Sequence, residues 1–121
     1  MNKAQAIQSF FSSFGWAAYD ENTVPDTAEF PYITYEMVEA NIGKPVILAA
    51  SLWDRSKSWQ AVELKAKEIA DHLGYGGATV RFDNGLIFFT QGTPFAQRLS
   101  GEDDSVRRIV INIAAEFISA A

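Results

Sequence analysis

The chain of 121 residues contains no cysteine and a single histidine, and both shortages limit its chemistry. Without cysteine there is no disulfide, no thiolate nucleophile and no thiolate metal site. One histidine is too few for the usual zinc ligand sets, and His72 falls near the end of a predicted helix, where a structural role is favoured. A serine–histidine pair would require a tertiary contact that the sequence does not show. The sequence therefore predicts no metal site.

Long apolar runs and an excess of positive charge are also lacking. The longest apolar run covers residues 46–50, whereas a membrane span needs about 20 residues. The first eight residues have no apolar core of the kind a signal peptide requires. The formal net charge is −5, and apart from Arg107 and Arg108 the basic residues are scattered. We therefore expect no membrane segment and no binding of nucleic acid through its phosphates.

Catalytic motifs are missing as well. No G-x-S-x-G sequence is present, and the glycines of residues 74–77 follow a helix, whereas dinucleotide-binding glycines open one. The acids of residues 102–104 lack the spacing of an EF-hand loop. Asp54, Asp83 and Glu116 are carboxylates that the sequence does not bring together. The prediction is a protein that is not an enzyme, with no catalytic residues and no cofactor.

What the chain does have is large apolar side chains, enough for the core of one domain over residues 1–121. Hydrophobic residues make up 48% of it, and nine Phe, four Tyr and three Trp are included. Apolar residues recur every three or four positions in two segments, which predicts helices over 3–14 and 59–73. Gly15 and Gly74 are placed to end them.

Period-two and β-branched patterns predict strands in the rest of the chain. The predicted strands are 32–39, 45–53, 78–82, 86–90 and 107–117. The first two form a hairpin through a turn at 41–44, and Asp83-Asn84-Gly85 closes the second hairpin. Residues 20–26 and 91–104 are predicted loops. The predicted fold class is α+β, with an antiparallel or mixed sheet of four to five strands and two helices packed on one face.

One aromatic, charged stretch is the strongest candidate for an interface. Two tryptophans flank charged residues in 53–59, and either both indoles anchor the core or one of them contacts another protein, since Trp and Arg are enriched at such contacts. Phe95 and Arg98 raise the same question in the following loop. The predicted interface residues are Trp53, Arg55, Phe95 and Arg98.

Taken in order, the pieces of the chain form a recognisable series. They are the Phe-rich first helix, Pro31-Tyr32-Ile33-Thr34-Tyr35, the 53–59 passage into an amphipathic helix, the 83–85 hairpin, Pro94-Phe95-Ala96-Gln97-Arg98 and the final Arg108-Ile109-Val110-Ile111-Asn112-Ile113 strand. This series resembles the tail-terminator and tail-completion proteins of siphophages and prophages, a group that includes minor capsid and head–tail connector components. The resemblance covers nearly the whole chain, although no single piece is a specific signature.

The resemblance implies a virion structural protein without enzymatic activity, assembled in the host bacterial cytoplasm and located in the tail. It implies a homo-oligomeric ring, commonly of six copies, that ends the tail tube and joins it to the head. The implied partners are further copies of the chain, the major tail tube protein and the head–tail connector protein. DNA would pass through the ring without specific binding, and no membrane is involved. Alternatives are another connector or stopper component, a tube subunit, a dimeric adaptor, or a small-ligand binding α+β domain or enzyme.

Overall fold

A computed structural model describes residues 1–38, 44–101 and 103–119 and places them in two helices and six strands. The helices are α1 (Lys3–Ser12) and α2 (Gln60–Leu73). The strands are β1 (Ala17–Asp20), β2 (Tyr32–Tyr35), β3 (Val46–Arg55), β4 (Ala78–Phe82), β5 (Gly85–Leu99) and β6 (Val106–Ser119). They form one sheet in the order β1-β2-β3-β6-β5-β4, in which only the β1–β2 pair is parallel.

The predicted α+β class and both hairpins are confirmed, with one or two strands more than expected. β2 pairs with β3, and β4 pairs with β5, both antiparallel. Strand β2 is shorter than predicted: it ends at Tyr35, although the Glu36 amide still donates to the Ala49 carbonyl oxygen of β3 at 3.0 Å. Residues 39 and 41–43, where the end of that strand and most of its turn were predicted, lie outside the described residues.

The prediction of a loop over residues 91–104 is wrong for residues 91–99, whereas residues 100–101 and 103–104 lie between strands as predicted. β5 continues to Leu99, and residues 92–95 form a bulge in its pairing with β6. In this bulge Asn112 Nδ2 donates a hydrogen bond of 3.0 Å to the carbonyl oxygen of Pro94. Gly92 passes so close to β6 that an added Cβ would lie 2.7 Å from the Asn112 carbonyl oxygen. Glycine and proline, which indicate a loop in sequence, are here confined to a bulge inside a long strand.

Strand β1 was not predicted. It has four residues, and it is completed by parallel pairing with β2 and not by a local hairpin. A strand this short carries no readable period in the sequence.

Helix α2 ends at Leu73 with Gly74 as its C-cap, as predicted, whereas α1 ends at Ser12 with Ser13 as its C-cap, two residues before the predicted end. Asn2 caps α1: its side chain accepts from the Gln5 amide at 2.8 Å, and its own amide donates to Gln5 Oε1 at 2.9 Å. Gly15 follows with a φ of 86°, a left-handed conformation that favours glycine. The amide of Gly74, whose φ is 53°, donates to the Ala70 carbonyl at the end of α2.

Both helices pack on one side of the sheet, here called the inner face. Phe10 of α1 stacks on Phe89 of β5 with ring centroids 4.1 Å apart, and Phe11 stacks on Tyr35 of β2 at 4.9 Å. The inner-face residues of β3, β5 and β6 that are almost completely buried are Leu48, Ala50, Leu52, Ile87, Phe89, Ile109, Ile111, Ile113, Ala115 and Phe117. The opposite side is called the outer face.

Helix α1 touches both edges of the sheet. At one edge, Gln8 Nε2 donates a hydrogen bond to the carbonyl oxygen of Ala18 in β1. At the other edge, the amide of Asp83, just after β4, donates to the carbonyl oxygen of Met1, just before α1. In a flat sheet those edge strands would be about 24 Å apart, five spacings of about 4.8 Å, whereas ten helical residues span about 15 Å. The sheet must therefore curl around α1.

Candidate protein interface

The outer face, which no described helix covers, combines apolar and polar side chains. Along β6 the outward residues alternate, in the order Arg108, Val110, Asn112, Ala114, Glu116 and Ile118. Ile47 of β3 lies opposite Ala114. Ile47 is 51% exposed and Ile118 is 41% exposed. These exposed apolar side chains among polar ones supply surface for contact with another protein.

A series of rings and guanidinium groups crosses one end of this face. We call it the aromatic ladder, and its members in spatial order are Arg55, Phe30, Tyr32, Trp53 and Arg108. The Arg55 guanidinium lies 4.9 Å from the Phe30 ring centroid, and Phe30 stacks on Tyr32 at 5.0 Å. Tyr32 is 6.4 Å from Trp53, and the Arg108 guanidinium lies over Trp53 at 4.5 Å. Cations placed in this way are attracted to the ring quadrupole.

Strand register brings the ladder together. Tyr32 of β2 is opposite Trp53 of β3, and Trp53 is opposite Arg108 of β6, so the three side chains lie side by side on the outer face. Trp53 Nε1 donates to Thr34 Oγ1 at 2.9 Å, and Arg108 Nε donates to Ser51 Oγ at 3.0 Å. These two bonds fix the indole and the guanidinium, which gives the ladder a defined geometry.

A groove of about 500 Å³ runs beside the ladder. Tyr32, Trp53 and Arg108 form one part of it, and Leu99 and Val106 form another. Leu99 is 40% exposed, so the groove presents apolar surface to solvent.

Asp103 stands at the rim of this groove. Hydrogen bonds from the Ser105 hydroxyl, at 2.6 Å, and the Ser105 amide, at 2.9 Å, hold the pKa of this carboxyl below its usual value, with a smaller contribution from the charge of Arg55. The rim therefore carries a fixed negative charge beside the positive ladder.

The four predicted interface residues do not form a single patch. Trp53 and Arg55 lie together in the ladder. Arg98 lies over the Trp59 ring at 4.6 Å, and its Nε donates to Glu63 Oε1 at 2.7 Å. Phe95 is half-buried and packs against the core. The interface role of all four residues stays a prediction.

The Trp59 indole ties the start of α2 to the sheet. Arg107 of β6 lies 5.2 Å from its centroid, and Arg107 Nη2 donates to the Lys57 carbonyl oxygen at 2.9 Å. With Arg98, two guanidinium groups contact one indole. This arrangement accounts for one tryptophan of the 53–59 stretch as an anchor within the molecule, while Trp53 lies in the ladder.

The groups singled out for chemistry remain apart. Asp54 is opposite Arg107 and Glu116 is nine residues further along β6, a separation of about 30 Å. Asp83 pairs with the amino group of Met1. His72 is exposed and lies edge-on to the Phe14 ring, 5.3 Å between centroids. In residues 1–38, 44–101 and 103–119, no three acidic or histidine side chains are grouped to hold a metal ion.

Three ladder residues, Phe30, Tyr32 and Arg108, were not predicted as interface residues. Their residue types carried a signal, since aromatics and arginines are common at interfaces. Only strand register places Tyr32 and Arg108 beside Trp53, and Phe30 joins them through its ring contact with Tyr32.

Neither α1 nor α2, the helices of the described residues, is long and apolar enough to cross a membrane.

Comparisons with known proteins give a structural likeness. No protein-family model and no curated protein matches the chain. A chain in the solved structure "Virion of native gene transfer agent (GTA) particle" superimposes with a TM-score of 0.64 and 18% sequence identity. The match covers 95% of this chain and 87% of the other. At this identity the likeness shows a shared fold.

Proposed function

We propose that this chain is a virion structural protein whose copies form a ring that ends a tail tube and joins it to a head connector. The observation that carries the proposal is the fold shared, over 95% of the chain, with a chain of a gene transfer agent virion. The order of sequence pieces described above supports the tail-terminator role in particular. The exposed apolar residues of the outer face and the aromatic ladder supply surface for contacts between proteins.

The charge of the chain suits a ring around DNA. Six copies at −5 each would carry −30. A negative wall repels phosphates, so DNA would pass along it without binding.

The test is to add the purified protein to the tail tube subunit of the same particle while tubes are growing. A terminator binds tube ends as a closed ring, so mean tube length falls as its concentration rises and electron micrographs show extra density at one end. Unlimited polymerisation of the protein alone would instead identify a tube subunit. Unchanged tubes would contradict the proposal.

A connector stopper is the nearest alternative, and it would bind the head connector but leave tube length unchanged. A small-ligand binding domain is the second alternative, and the groove of about 500 Å³ beside Trp53 is the observation that favours it. A panel of small molecules that raises the melting temperature of the wild type but not of a Trp53→Ala variant would support that alternative.

A further inference from the structure

We infer that the aromatic ladder is the surface through which one copy of this chain binds the acidic surface of a second copy. The inference deepens the proposed function by naming the contact between copies. It does not depend on the number of copies in the ring, since every subunit of a ring makes the same head-to-tail contact.

The faces of the ladder rings are largely used within the molecule. One guanidinium lies over Phe30 and another over Trp53, and Phe30 stacks on Tyr32. A nucleobase or a sugar would need a free ring face on which to stack. What the ladder offers to a partner is ring edges and guanidinium N–H groups, and both are electropositive.

Neither arginine of the ladder forms an ion pair with a carboxylate in the described part of the chain. The described ion pairs join Lys65, Lys67 and Arg98 to acids of α2 and the Met1 amino group to Asp83. Arg55 lies over the Phe30 ring, and its charge reaches Asp103 at the groove rim without an ion pair, whereas Arg108 contacts Trp53 and Ser51. An arginine held beside an aromatic ring without a direct ion pair is prepared for a carboxylate from outside. The groove beside it adds apolar surface around Leu99 and Val106.

A second copy has the charge that this site requires. The chain carries fifteen acidic and ten basic residues, so without Arg55 and Arg108 its formal charge would be −7 instead of −5. Two such copies repel each other over most of their surfaces. Contact between the ladder of one copy and acidic surface of the next therefore selects a single, head-to-tail arrangement.

The experiment measures self-association of the full chain by sedimentation over a range of concentrations up to the solubility limit. The variants are Arg55→Glu and Arg108→Glu, with Arg81→Glu as a matched control. Arg81 is exposed on the edge strand β4 and makes the same change of charge away from the ladder. Circular dichroism and a melting curve establish that each variant is folded.

We expect the dissociation constant to rise at least about thirtyfold in each ladder variant, the loss typical of an interface hot spot, and to change little in Arg81→Glu. Raising the salt concentration should weaken the wild-type complex. Arg55→Glu is the decisive variant if Arg108→Glu does not fold, because the Arg55 side chain is exposed. Folded variants that associate like the wild type would overturn the inference, and so would a wild type that stays monomeric at every concentration.

Failure of the inference is distinguishable from failure of the proposed function. Ladder variants that still shorten tubes and still self-associate would leave the terminator proposal standing and place the contact between copies elsewhere. Ladder variants that self-associate normally but no longer bind tube ends would assign the ladder to the tube protein, which also overturns the inference.

Discussion

The two faces of the sheet are made from alternate residues of the same strands, yet they have different compositions. On the inner face, β6 presents Ile109, Ile111 and Ile113, all at most 2% exposed and packed under helices. On the outer face it presents Arg108 and Val110, which lie beside tryptophan and serine side chains. Apart from the Tyr35 phenol, the buried residues of the inner face are aliphatic or phenyl, whereas the outer face combines apolar residues with arginine and polar aromatic groups.

This difference separates stability from recognition. Burying aliphatic side chains is non-directional and contributes roughly 1.5–3 kcal/mol for each large residue. The outer face has directional contacts instead, such as the Trp53–Thr34 hydrogen bond and the Arg108 guanidinium over an indole. We therefore expect substitutions on the inner face to change the free energy of unfolding, and those in the ladder to change association.

The largest expected effect compares adjacent phenylalanines on opposite faces. Phe89 is fully buried and stacks on Phe10, whereas Phe88 is half-buried on the outer face. Phe89→Ala should lower the free energy of unfolding by about 3–5 kcal/mol because it leaves a cavity. Phe88→Ala should cost less than half as much. Urea denaturation measures both, and equal losses would contradict the division between the faces.

The next largest effect is expected at the bulge that interrupts the pairing of β5 with β6. Gly92→Ala would place a methyl group 2.7 Å from the Asn112 carbonyl oxygen. Because that oxygen belongs to the backbone of β6, the clash can be relieved only if β5 or β6 shifts. We expect a loss of about 1–3 kcal/mol. Gly76→Ala is the control, since its Cβ meets nothing within 4 Å. If the two variants unfold at the same urea concentration, β5 and β6 are less closely apposed than described.

A smaller, pH-dependent effect is expected from Tyr35 on the inner face. Burial, and then the charge of Asp20, raise the pKa of its phenol above 10, and the hydroxyl donates to Gln8 Oε1. A raised pKa in the folded state favours the protonated form, so this contribution to stability is complete below pH 10 and is lost as pH rises through the folded pKa.

Unfolding measured from pH 8 to 11 should show that loss in the wild type and in an outer-face control, Tyr32→Phe. Tyr35→Phe should remove this part of the pH dependence. At neutral pH it should cost about 0.5–1.5 kcal/mol for the lost hydrogen bond. A Tyr35→Phe variant with the pH dependence of the wild type would refute the assignment.

The smallest effect serves as a baseline away from both sheet faces. Lys67 and Asp71 form an exposed i,i+4 pair of 2.7 Å on α2. Asp71→Asn should change the free energy of unfolding by less than about 0.5 kcal/mol, and less still in high salt. A loss of more than about 1 kcal/mol in the free energy of unfolding would contradict this expectation, because it would show that exposed ion pairs contribute substantially to the stability of this protein.

The sequence was informative wherever the pattern was local. The period of apolar residues over Val62, Ile69 and Leu73 located α2, and the alternation of β6 identified its buried face before any partner was known. Asn84-Gly85 located a hairpin because that dipeptide suits a tight turn. These features depend on neighbours within a few residues, so the sequence carries them in full.

Features that depend on pairing between residues far apart in the chain could not be predicted from the sequence. β1 exists because it pairs with β2, and the end of β5 because it pairs with β6 beyond a bulge. For the same reason, only part of the candidate site was predicted from the sequence. Trp53 and Arg55 stood out by composition. Tyr32 and Arg108 come from other parts of the chain and reach Trp53 only through strand register, and Phe30 joins them by stacking on Tyr32.

The last strand in the sequence is central in the sheet, and this position has a consequence for folding. β6 separates β3 from β5, so until Val106–Ser119 has left the ribosome the chain can form only two unconnected groups of strands. Helix α1, synthesised first, must wait for Phe89 and Phe117 before its apolar side is covered. We expect the native structure to form after translation, and slowly for a chain of this length, because its decisive contacts join its two ends.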